Sequence, residues 1–172
     1  MDERRTVLQS RADRANKMSA ALKAETDRGR ACVGDAFVDE LLKELFRRRL
    51  IDRPKFVDEL LMVNRALGSF SDRLKLAYAL GWIGEETRKD CDTIHNIRNA
   101  MAHGLDVDSF DHHEVKGKLD ALHGPSHVKG RLVHRRDKFL VAVHFAVLRI
   151  WEVLDKSKNS PVATDAPIIQ HT

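Results

Sequence analysis

Arg98, Asn99 and His103 are the residues whose types and spacing could do chemistry, and they close a helix in the run Ile97-Arg98-Asn99-Ala100-Met101-Ala102-His103-Gly104. His95, Asn99 and His103 are spaced four apart and form one polar stripe on a helix. Arg98 stands about 100° around from Asn99 and about 140° from His103. An arginine and a histidine converging on one phosphate have a clear use. The guanidinium stabilises charge building on the phosphoryl oxygens, and the imidazole moves a proton near neutral pH. With RNA the 2′-hydroxyl supplies the nucleophile, so cleavage needs no metal. The 140° offset means that the two groups share a target only across the face between them, and a second copy of the chain would complete such a site. Asn99 is placed to bond a neighbouring imidazole and orient it. The alternative is structural. Arg98 pairs with Asp27, Asp35 or Asp92, while Asn99 and His103 satisfy the end of a partly buried helix. Spacing alone favours this second reading.

Other chemistries find no support. The chain has no Gly-rich phosphate loop, no CxxC pair, no HExxH and no Gly-x-Ser-x-Gly elbow. His123 and His127 have a helical ligand spacing, but Gly124-Pro125 lies between them and prevents a helix there. Even with His112, His113 and His134 nearby, a basic loop is the expected description, with no metal and no cofactor. Cys32 and Cys91, the only cysteines, fall inside apolar helical patterns and read as reduced core thiols.

Composition bounds what positions these residues. Of the 172 residues, 42% are hydrophobic, 33% charged and 6% aromatic, and the formal charge is +4. Leu, Ala, Arg, Lys, Asp and Glu dominate, and β-branched residues never alternate, which is helix composition. The basic balance permits RNA, DNA or an acidic protein as partner and requires none of them. The charged start from Asp2 to Arg5 and the lack of 18 consecutive apolar residues predict a soluble, cytoplasmic chain without a membrane partner.

The pattern predicts an all-α, single-domain bundle of about five to seven helices. Residues 1–24 form a weakly striped arm, or a helix laid over the body, rich in Arg4, Arg5, Arg11, Arg14 and Lys17. Residues 25–157 form the helical domain, and 158–172 a polar, disordered tail. A strong helix runs from Glu25-Thr26-Asp27 to about Arg48, striped by Val33, Phe37, Leu41 and Leu45 and widened by Cys32, Ala36, Leu42 and Phe46. Lys55 to Ala66 forms a shorter helix with Phe56, Leu60, Leu61 and Val63. Ser71 is expected to cap a helix from Asp72 to Leu80 whose buried side is Leu74, Ala77, Tyr78 and Gly81. Gly81-Trp82-Ile83-Gly84 interrupts the chain. The next helix, from Glu85 to Ala102, carries the core stripe Ile94, Ile97 and Met101, and Gly104 is expected to end it in a left-handed conformation. A short helix lies around Glu114 to Leu122, followed by a turn at His123-Gly124-Pro125-Ser126. The last, from about Arg135 to Asp155, buries Phe139, Val143, Phe145, Ala146, Leu148, Ile150 and Trp151.

Four stretches in order resemble the bacterial mannitol operon repressor family: Glu25 to Arg30, Asp39 to Leu42, Leu67 to Gly81 and Ile97 to His103. The likeness covers about residues 25 to 104, with the final helix included, and Leu67 to Gly81 is its most specific part. It implies an all-helical regulator of transcription that dimerises and represses through a protein partner as readily as through DNA. No helix-turn-helix is recognisable here. The last stretch also matches the Arg-x4-His signature of the HEPN helical superfamily, many of whose members are metal-independent ribonucleases acting as dimers. By that likeness Arg98 would bind the scissile phosphate, His103 would be acid or base, and Asn99 occupies a position that is commonly polar. Asp27, Arg28, Arg30, Arg73 and His95 are the candidate binding residues. By residue pattern alone, Asp27, Arg28 and Arg30 cap and pair at a helix start, and Arg73 belongs to a solvated face. Tyr78 and Trp82 read as core or dimer-interface residues.

Overall fold

Seven helices and no strand are present among the described residues of the computed structural model, which are 2–123 and 134–156, with side chains from residue 9 onward. The all-α expectation holds. They are α1 (Asp2–Ala24), α2 (Asp27–Arg49), α3 (Pro54–Leu61), α4 (Phe70–Ala79), α5 (Glu85–His103), α6 (His113–Ala121) and α7 (Arg135–Asp155). The tail beyond 156, most of the turn after His123, and the side chains of Arg4 and Arg5 lie outside what is described.

α2 is the central element, packed by α1, α3, α4, α5 and α7. The Thr26 hydroxyl accepts the Gly29 N–H at 3.1 Å, Asp27 sits in the first turn and Arg47, Arg48 and Arg49 in the last, so both ends suit the helix dipole. Val38, Leu41, Leu42, Leu45 and Phe46 are buried along it. At Gly34 a Cβ would lie 3.0 Å from both the Phe139 ring and Val143 Cγ2, so this glycine lets α2 and α7 approach closely. α1 lies over the body. Met18 and Leu22 are buried, and Arg11 binds the Asp155 carboxylate and the Trp151 carbonyl.

Several local expectations shift. α3 ends at Leu61 rather than Ala66, because Asn64 turns the chain in the left-handed region at φ 65°, and the Leu67 N–H returns to the Leu60 carbonyl. α4 is capped by Ser69, not Ser71. The Ser69 hydroxyl accepts the Asp72 N–H at 3.0 Å and donates to its carboxylate at 2.6 Å, a reciprocal cap that places Phe70 in the core. Gly81, at φ 67°, turns the chain out of α4. Tyr78 and Gly81 are exposed rather than buried, as are Phe56 and Val63 at α3, Leu148 on α7 and Ala36 on α2, since each stripe is narrower than its apolar residues suggest.

Gly104 does cap α5, but in extended backbone at φ −82°, not left-handed. Its requirement is space. A Cβ there would sit 2.5 Å from Val107 Cγ2 and 2.9 Å from the Ala100 carbonyl oxygen. Gly104→Ala is therefore expected to cost about 2 kcal/mol through overpacking, read as a fall in Tm of about 4–8 °C. A left-handed glycine would instead be rescued by asparagine, and Gly104→Asn is expected to be at least as damaging as alanine.

Candidate functional site

Of the polar stripe of α5, His95 is turned inward. It lies against α2, with Arg98 one turn on, where Asp35 is buried between the two helices. One carboxylate serves two partners from successive turns of α5. Asp35 Oδ1 is 3.0 Å from His95 Nδ1, and Oδ2 is 3.8 Å from Arg98 Nε. Since an ionised carboxylate only accepts, the His95 hydrogen at this contact sits on Nδ1. The opposite face of the pair is closed by α4, whose Phe70 ring stacks on the His95 ring at 4.2 Å and 8° between planes.

One turn further along α2 the pattern repeats with α4. Arg73, only 3% exposed, ties its guanidinium to Asp39 and donates to the Leu67 carbonyl at 2.5 Å, while Lys43 reaches Asp39 at 2.8 Å. Asp35, Asp39 and Lys43 thus make a charged line on α2 that fixes α4 and α5 against it. Arg73 is a buried strut, not the solvated residue its neighbourhood suggested.

Arg98 keeps a partly open side chain, 38% exposed, and donates through Nη1 to Asn99 Oδ1 at 2.9 Å. Asn99 therefore orients the guanidinium, not an imidazole. His103 is exposed at the last position of α5. Of the three carboxylates open to Arg98 from sequence, the structure selects Asp35.

Asp27, Arg28 and Arg30 form a separate group two turns nearer the start of α2. The Asp27 carboxylate accepts the Phe110 N–H at 3.0 Å and the Ser109 hydroxyl at 3.4 Å, and it pairs with Arg136. Arg28 Nη2 faces the carbonyls of Gly104 at 2.9 Å, Leu105 at 3.0 Å and Val107 at 3.3 Å. These two residues fasten the segment after α5 to the start of α2, which positions the helix end that carries His103. Arg30 is buried and donates to the Lys23 carbonyl at 3.2 Å, holding the α1–α2 corner. Burial, with Arg136 nearby, holds its pKa below the ordinary arginine value.

One group among the described residues has metal-ligand donors close together, His112, His113 and Glu114, within 4.8 Å of one another at the start of α6. His112 Nδ1 already accepts the Glu114 N–H as a helix cap at 3.4 Å, and His113 and Glu114 are exposed. Cys91 is buried and Cys32 half-buried, both free thiols, and burial pushes the Cys91 thiol up. No described helix is long and apolar enough to cross a membrane.

Sequence reasoning named Asp35 only as one of three possible partners of Arg98, and missed both its contact with His95 and the role of Asp39 as the second anchor. The one signal available was the spacing of four between Asp35 and Asp39 on the helix that carries the widest apolar stripe.

Comparison with known proteins adds two findings. The family model described as mannitol repressor matches residues 32–154. The chain is also similar to a chain of the X-ray structure of the MtlR–HPr complex from Escherichia coli. The identity there is 23%, the match covers 83% of this chain and 96% of that one, and the TM-score is 0.54, a likeness of fold. No curated protein sequence matches.

Proposed function

Because the chain belongs to the mannitol repressor family, we propose that it is a regulator of transcription that acts as a homodimer through a protein partner, and that HPr is the first partner to test. The family match over residues 32–154 carries this reading. The similar Escherichia coli chain comes from a complex with HPr. Two features of the site agree with a recruiting role. Arg98 is engaged by Asp35 and Asn99 within its own chain. Phe56, Met62 and Val63 are all more than half exposed at and just beyond α3 and offer apolar contact area outside the seam that Asp35 makes between α2 and α5.

Titration calorimetry with purified HPr from Escherichia coli is expected to give one saturable event per protomer with Kd in about the micromolar range. Solution mass is expected to be that of a dimer. No heat up to about 1 mM HPr, with the chain folded by circular dichroism, removes HPr as the partner.

A second reading rests on the openness of Arg98 at 38% exposure and of His103. It is a metal-independent ribonuclease of the HEPN kind, completed across a dimer axis. Mixed RNA in EDTA, with Arg98→Ala/His103→Ala as control, separates the two. Cleavage by the unaltered protein alone establishes the nuclease, and intact RNA in both leaves the regulator. Direct binding of DNA would show instead as affinity that falls steeply with salt.

A further inference from the structure

Just past α5 the chain makes a tight turn that is held from behind and presents one leucine outward. The Val107 N–H returns to the Gly104 carbonyl at 3.3 Å, and Arg28 Nη2 faces the carbonyls of Gly104, Leu105 and Val107. Val107 and Phe110 are buried, which anchors the far side of the turn. Leu105 stands at its tip, 91% exposed, the most open large hydrophobic residue described. Asp106 and Asp108 beside it are exposed and form no ion pair among the described residues. A single exposed leucine on a loose segment needs no explanation. Here the backbone is already fixed, so burial against a partner orders little beyond the side chain itself.

The other end of α5 carries a surface of the complementary kind. Tyr78 and Leu80, where α4 ends, are 41% and 47% exposed. The Arg88 guanidinium of α5 lies over the Tyr78 ring, 5.2 Å from its centroid, and Lys75 stands one turn before Tyr78 on α4. Neither cation forms an ion pair among the described residues. Glu85, one turn before Arg88, pairs with Lys89 at 2.8 Å instead. This sets the patch apart from α2 and α7, where Arg47, Arg48, Arg135, Arg136 and Arg149 are each matched by a carboxylate of the same chain.

An apolar tip with two unpaired acids and an apolar patch with two unpaired cations thus stand at opposite ends of one helix, about 25 Å apart. Within one chain α5 keeps them from meeting. A two-fold axis across the middle of α5 exchanges its ends and makes the same contact twice. We propose that a second copy of this chain occupies both surfaces, the Leu105 turn of each protomer docking on the Tyr78–Leu80 patch of the other, with Asp106 and Asp108 facing Lys75 and Arg88. The proposal rests on the homodimer reading above and names its interface. A parallel arrangement would set turn against turn and acid against acid, and the charges oppose it. The exposed residues of α3 remain free for the protein partner.

Sedimentation equilibrium over about 1–100 μM tests the contact, with the parent expected to be a dimer at the upper end. Asp106→Lys/Asp108→Lys and Lys75→Glu/Arg88→Glu, each folded by circular dichroism, are both expected to be monomeric throughout. Mixed in equal amounts they are expected to dimerise again, because both contacts of the mixed pair then join opposite signs. Leu105→Ser, at a position open to solvent, is expected to weaken association at least tenfold and decides the matter if a reversal fails to fold. A parent dimer that either reversal, or Leu105→Ser, leaves at the parent's affinity overturns this interface while the homodimer stands. Two monomeric reversals whose mixture stays monomeric overturn it as well. A parent that is monomeric at the highest concentration removes the homodimer reading itself, and this interface with it.

Discussion

Asp35→Ala is expected to cost about 3 kcal/mol of folding stability, because it strands two cationic or donor groups for the price of one carboxylate. His95 would lose its Nδ1 acceptor while still wedged between α2 and Phe70, and Arg98 would keep only Asn99. In a chain of this size that is a fall in Tm of about 6–12 °C. The two partners differ in what they tolerate. Arg98 is 38% exposed and can rehydrate, so Arg98→Ala is expected to cost under about 1 kcal/mol. His95, at 19%, cannot do so as fully. Asp35→Asn keeps an acceptor for His95 and should recover about half the loss. Thermal melts of the three variants test this directly. Equal losses for Asp35→Ala and Arg98→Ala would mean that the seam is held by the arginine rather than by the His95 contact.

The largest apolar effect is expected at Phe139. Its ring is fully buried, stacks on Phe110 at 4.9 Å and fills the space left by Gly34 on α2. It therefore joins α7 to the central helix and to the segment between α5 and α6. Phe139→Ala should lower stability by about 3–5 kcal/mol, the transfer term plus a cavity that rigid helices on both sides cannot close. Urea unfolding is expected to show a lower midpoint with unchanged slope. Leu148, on the same helix and 51% exposed, provides the contrast. Leu148→Ala should stay within about 0.5 kcal/mol. Similar losses at the two positions would contradict the packing described.

The course of α2, α5 and α7 was legible because long stripes of Leu, Ile, Val and Phe recur at helical period, and because acidic starts and basic ends mark the termini of α2 and α5. What failed depends on partners that a stripe does not encode. Ser69 and Ser71 are both good caps, and only the burial of Phe70 decides between them. Tyr78 and Leu148 belong to their stripes by type, yet both stay exposed, Tyr78 with the Arg88 guanidinium of α5 over its ring. Gly104 carried a correct boundary for the wrong reason, since its closeness to Val107 is a tertiary fact. At the site, the pairing of Arg98 with Asn99 follows from their adjacency, while His103 stands apart from both at the exposed end of α5. That His95 and Arg98 meet on one carboxylate was not legible, because it depends on the register of α5 against α2. Arg28 could be read as a helix-start charge, while its grip on three carbonyls after α5 required the fold.

α5 has no proline or glycine between Gly84 and Gly104, so over about 28 Å it neither stretches nor hinges. Its middle is pinned through Asp35, and the carbonyls just beyond its end are gripped by Arg28. The helix therefore holds one register against α2, and the exposed face around His103 is presented as a rigid surface.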